Sequence, residues 1–157
     1  MTDQVADAEI AARRRWMAVL ARAARPDLEA ALSRRDPAPS WRVLRAAEVG
    51  LAMVRGRAGG TGSPFNLGEM SVTRCAVALE GDGATRVGIA YVAGRDRRRA
   101  ELAAVFDALL QDQALRPALT EDVIDRLAAL QARRRNDTVA ASAATRVDFF
   151  TVAREVT

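Results

Sequence analysis

The stretch SVTRCAVALEGDGATRVGIAYVAG, residues 71–94, decides the fold class. Thr73, Cys75, Val77 and Leu79 alternate with Arg74, Ala76 and Ala78, and Val87, Ile89, Tyr91 and Ala93 alternate with Gly88, Ala90 and Val92. Period-two alternation is the mark of a strand, and Gly81-Asp82-Gly83 between the two runs is a hairpin turn, so strands at 71–80 and 86–94 are expected to pair antiparallel. Each strand has a bulky side and a small side. A face of Gly and Ala is what close helix packing requires, so helices are expected on at least one side of the sheet.

Upstream, Val49, Leu51 and Met53 alternate with Gly50, Ala52 and Val54, and Trp41 to Arg45 is expected to supply one more strand, for a sheet of about four. Helices flank it. Ala6 to Arg22 places Ile10, Trp16, Met17, Val19 and Leu20 at broadly helical spacing among alanines, and Asp27 after Pro26 opens a short helix with Leu28, Ala31 and Leu32 on one side. Asp36-Pro37-Ala38-Pro39-Ser40 then interrupts the pattern as a linker. Downstream, Asp96 stands at an N-cap position before the stripe Leu102, Val105, Phe106, Leu109 and Leu110. Pro117 is expected to end the connection and Thr120 to cap a last helix with the stripe Val123, Ile124, Leu127 and Leu130, running on through Val139 to Ala144.

The expectation is an α+β fold in one domain, with a helical segment at 1–35, the sheet at 41–95, helices at 96–145 and an apolar tail at 146–157. No apolar run approaches the ~20 residues of a membrane span, and Met1 to Ile10 carries acids rather than a basic, greasy leader, so the chain reads as soluble and cytoplasmic. Cys75 is the single cysteine and is expected to be a small buried hydrophobe. All 24 basic residues are arginine, scattered among acids with only two Trp, one Tyr and four Phe, which argues against nucleic-acid binding.

The chain has no histidine, which removes Ser-His and Cys-His nucleophiles and histidine-ligated metals. The acids Glu48, Glu69 and Asp96 are too separated to define a catalytic pair, and Asp96 is better explained as a helix cap. Gly59-Gly60-Thr61-Gly62-Ser63-Pro64 is either a loop presenting amides to a phosphate or a wide connection between strands. It lacks the Lys and following helix of a Walker loop. Arg74 and Arg95 either bind an anion or form salt bridges, to Glu48, Glu69 or a partner's acid. In the tail, Val147, Phe149 and Phe150 are expected to meet a partner, because adjacent aromatics outside a helical stripe fit poorly in one core.

Five pieces, Arg45 to Leu51, Arg57 to Gly62, Thr73-Arg74-Cys75, Gly94-Arg95-Asp96 and Arg146 to Phe150, stand in an order and at spacings that resemble the PhnG subunit family of the bacterial carbon–phosphorus lyase core complex. The resemblance runs from Arg15-Trp16-Met17 to Phe149-Phe150. It implies a complex that replaces the adenine of ATP with a phosphonate to give α-D-ribose 1-methylphosphonate 5-triphosphate, with a nucleosidase-like I subunit holding the chemistry and the G subunit supporting it. Where the family often has a lysine and a histidine after Gly94-Arg95-Asp96, this chain has Arg97-Arg98-Arg99, which favours a supporting role. The expectation is an accessory subunit with no catalytic residue, metal or cofactor of its own, bound chiefly to the I subunit and able to self-associate. The alternative is a free-standing anion- or nucleotide-binding module using Gly59, Gly60, Thr61 and Gly62 with Arg74 and Arg95.

Overall fold

A computed structural model describes residues 2–81 and 84–145. The chain forms α1 (Thr2–Leu20), α2 (Arg25–Ser33), β1 (Trp41–Arg57), a 3-10 turn (Ala58–Gly60), β2 (Pro64–Gly81), β3 (Ala84–Ala93), α3 (Arg97–Leu110), α4 (Arg116–Leu119), a π-helical segment (Thr120–Asp125) and α5 (Arg126–Ala144). The sheet is antiparallel, in the order β1-β2-β3.

Among the described residues there are three strands, not about four. Trp41–Arg45 and Val49–Val54 belong to one continuous strand, with register shifts between Val43 and Arg45 and between Arg45 and Glu48. No Gly or Pro stands between Arg45 and Glu48 to reverse the chain, so the irregular alternation there is absorbed as bulges. The hairpin of β2 and β3 pairs as expected, Thr73 with Val92 and Cys75 with Ala90.

α3 is buried on nearly every side, because it lies between the sheet and an outer layer made of α1, α2 and α4. Such a middle helix is expected to be apolar over most of its surface, with any buried polar group hydrogen-bonded. Its N-cap is Asp96, whose carboxylate accepts from the Arg99 amide at 3.0 Å. Phe106, Leu102, Val105 and Leu110 are fully buried with Val77, Val92, Leu20, Leu28 and Ile124, and burial of each large side chain contributes about 2 kcal/mol. The approach to β3 is close: a Cβ on Gly88 would lie 1.9 Å from the Ala104 carbonyl oxygen.

Helix packing thus takes the small side of β3 (Gly88, Ala90, Val92) but the bulky side of β2 (Thr73, Cys75, Val77, Leu79), and leaves Val87, Ile89 and Tyr91 exposed. The C-terminal helices differ from expectation. Pro117 stands in the first turn of α4, and Thr120 is helical with no side-chain cap, because the turn of α4 already continues into it. Leu130 is partly exposed while Val123, Ile124 and Leu127 are buried.

Candidate functional site

Among the described residues, the sheet has one covered face and one open face. Residues directly opposite in an antiparallel ladder share a face, so the row Glu48–Arg74–Tyr91 and the flanking row Gly50–Val72–Ala93 lie together on the side away from α3. A cavity of about 320 Å³ opens there, lined by Glu48, Gly50, Val72, Arg74 and Tyr91 among others. Glu48 Oε1 accepts from Arg74 Nε at 2.7 Å and from Arg45 Nη1 at 3.2 Å. Glu48 holds the Arg74 guanidinium still more firmly protonated than usual, with a lesser contribution from the Tyr91 phenol. Of the two explanations for Arg74 in the sequence, the ion pair with Glu48 is therefore present.

Beyond the row Gly50–Val72–Ala93, β1 and β2 continue as a two-stranded arm. No residue from Leu51 to Ser71 is buried, and Leu51, Met53, Phe65, Leu67 and Met70 are exposed on it. The glycine loop is the tip of this arm, where it joins β1 to β2. Gly59 and Gly60 have φ of 60° and 79° and are exposed, Gly62 N–H donates to Ala58 O at 3.0 Å, and Arg57 Nη1 donates to Gly62 O at 3.0 Å. Thr61 is exposed. The register separates this tip from Arg74 by the length of β1 between Glu48 and Arg57, roughly 30 Å at ~3.3 Å per residue. The chain therefore does not bring Gly59, Gly60, Thr61 and Gly62 together with Arg74. Arg95 is exposed in the turn from β3 to α3, where Gly94 N–H donates to Ser71 O at 2.8 Å. Val147, Phe149 and Phe150 lie outside the described residues.

The acids do not converge either. Glu48 is occupied by two arginines, Glu69 stands in the arm opposite Met53, and Asp96 caps α3 with Arg25 at 3.9 Å. Cys75 is buried, and that burial, more than the nearby Glu101, pushes its thiol pKa up and makes it a poor nucleophile.

One polar centre was not legible in the sequence. Asp107, in the middle of α3, is fully buried and accepts from Arg13 Nε (3.1 Å) and Nη2 (2.6 Å), from Trp16 Nε1 (2.9 Å) and from the Ile89 amide (3.0 Å). It ties α1, α3 and β3 together. With Gln111 Nε2, which donates to Val87 O at 2.8 Å, it also occupies backbone groups on the outer edge of β3. An acid embedded in an apolar helical stripe was the available signal.

These features define a layered α+β protein whose sheet, among the described residues, is covered on one side and extends into an uncovered arm. No helix among the described residues is long and apolar enough to cross a membrane. The chain belongs to the PhnG family: residues 11–155 match the family described as phosphonate metabolism protein PhnG. It is 46% identical over 151 residues, 94% of this chain and 92% of the relative, to a Rhizobium meliloti (strain 1021) protein named alpha-D-ribose 1-methylphosphonate 5-triphosphate synthase subunit PhnG.

Proposed function

We infer that this chain is an accessory subunit of an alpha-D-ribose 1-methylphosphonate 5-triphosphate synthase, acting in phosphonate catabolism by supporting the displacement of adenine from ATP by methylphosphonate. The observation that carries this reading is the near-full-length identity to a subunit of that synthase. The chemistry of the chain agrees with a supporting role: it has no histidine, and Glu48, Glu69 and Asp96 are separately engaged or far apart. Its partners are other subunits of the assembly, chiefly the nucleosidase-like I subunit.

Incubated alone with ATP and methylphosphonate, the chain should release no adenine. Together with the I subunit and the remaining synthase components, release should depend on its presence. Alanine at Glu48, Glu69 or Asp96 should each leave turnover within about tenfold as long as the complex stays intact. A loss of several orders of magnitude in an intact complex would show that this chain lends an acid or base to a shared site.

The arm gives a second expected result. Gly60 takes a left-handed conformation that Val adopts only with strain of ~1–2 kcal/mol, but nothing lies within 4 Å of its Cβ position and no arm residue is buried. Gly60→Val should therefore lower the melting temperature of the chain by no more than about 7 °C while impairing assembly of the complex, read by co-elution. Parallel losses in both would make the loop a structural connection only.

A further inference from the structure

We propose that the open face of the sheet, centred on Arg45, Glu48 and Arg74, docks another polypeptide of the assembly through an apolar surface that presents a carboxylate to Arg74. The inference rests on the reading of the chain as a synthase subunit and adds where it is held and by what chemistry.

Three observations converge on this face. First, the orientation of β3 is inverted with respect to bulk: Gly88 and Ala90 are buried, whereas Tyr91 is 58% and Ile89 43% exposed. Large side chains standing on the uncovered side of a sheet form an apolar field of the kind that marks contact surfaces. Second, the charges at its centre do not balance. Among the described residues one carboxylate, Glu48, is shared by two guanidinium groups, so a positive charge is left over there in the middle of an apolar surround. Arg74 reaches Glu48 through Nε, and its Nη groups meet no carboxylate among the described residues. A planar fork of that kind takes a second carboxylate in a directed, charge-assisted way, and exclusion of water on docking strengthens the pair. Third, a cavity of about 320 Å³ adjoins Arg74 and Tyr91 and is open to an entering side chain.

The same charge argues for the occupant. Two copies of this chain related by a twofold axis through the face would set like surplus charges against one another, which penalises self-docking. A partner with an Asp or Glu ringed by apolar residues compensates the charge and covers Ile89 and Tyr91 together.

The test uses the full chain and the other synthase subunits, with dissociation constants measured over a salt series. Arg74→Glu should weaken assembly by at least about fiftyfold and Arg74→Gln by about tenfold, with a shallower salt dependence for Arg74→Gln than for the unaltered chain. Tyr91→Ala should weaken it about tenfold, whereas Arg126→Glu, on α5 and away from this face, should bind as the unaltered chain does. Unchanged melting temperatures for Arg74→Gln and Tyr91→Ala separate lost contact from lost fold. A photo-crosslinker at position 89 should capture another subunit.

The proposal is overturned if the unaltered chain assembles and all three face variants assemble equally well, an outcome that leaves its role as a subunit standing. It is also overturned if position 89 crosslinks to a second copy of this chain, or if Arg74→Gln assembles normally and only raises the KM for ATP, which would assign the cluster to a small-molecule anion. Failure of the unaltered chain to bind any synthase component would instead overturn the function from which the proposal starts.

Discussion

Gly88→Ala should cost this protein about 3 kcal/mol and lower its melting temperature by about 10 °C. In a strand the exchange of Gly for Ala ordinarily stabilises by ~0.5–1 kcal/mol, since alanine has less unfolded-state freedom to lose. Here the new Cβ would sit 1.9 Å from Ala104 O and 2.8 Å from Ala108 N, both in the backbone of α3. No rotamer change can relieve such a clash. The helix must lift from the sheet, and since Phe106, Leu102 and Val105 on it are fully buried, the loss spreads through the core. Gly50→Ala is the matched control, because nothing lies within 4 Å of its Cβ position; it should be neutral or slightly stabilising. Calorimetric unfolding of the two variants checks the pair, and equal melting temperatures would mean that α3 does not approach β3 as described.

Removing the buried carboxylate should be costlier still. Asp107→Ala is expected to destabilise by about 4 kcal/mol, because it orphans the Trp16 indole N–H and the Ile89 amide and cuts the tie from α1 to α3 and β3. Arg13 is 44% exposed and can turn to water, so the orphaned donors rather than the guanidinium carry most of the loss. Trp16→Phe, which removes one donor and leaves the rest, should cost about 1–2 kcal/mol. Asp107→Asn keeps the volume but turns an acceptor into a donor amid donors, so it should resemble alanine more than the native residue. Chemical denaturation of the three variants gives the order, and near-native stability of Asp107→Asn would show that shape, not charge, is what the site requires.

Why some of this could be read from residues alone, and some not, follows from the range of the forces involved. The hairpin of β2 and β3 and the stripe of α3 were legible because period and capping are local: Asp96 and Phe106 announce their helix within a dozen residues. Alternation along a strand says that two faces differ, not which one will be covered. On β2 the bulky side turned inward and on β3 the small one did, a choice made by the close seat of α3 on Gly88. The bulges of β1 depend on pairing with β2, so the strand looked like two. Thr120 followed by two acids resembles an N-cap, but Leu119 before it is already helical. Asp107 and its donors Arg13 and Trp16 lie more than 90 residues apart in the chain. At the candidate site, the link between Arg74 and Glu48 was one of the readings available; the distance of the glycine tip from it emerged only with the length of the arm.

That arm carries a consequence for how such chains diverge. Because no residue from Leu51 to Ser71 is buried within the protein, the arm can be lengthened or shortened by insertions and deletions without disturbing the core beneath α3. Side chains alternate along its two strands, however, and adding one residue to each strand would exchange the faces shown by everything beyond the insertion. Tolerated length variants should therefore come in steps of two residues per strand, about 7 Å of reach at a time, so that length polymorphism in this segment is quantised by the pleat.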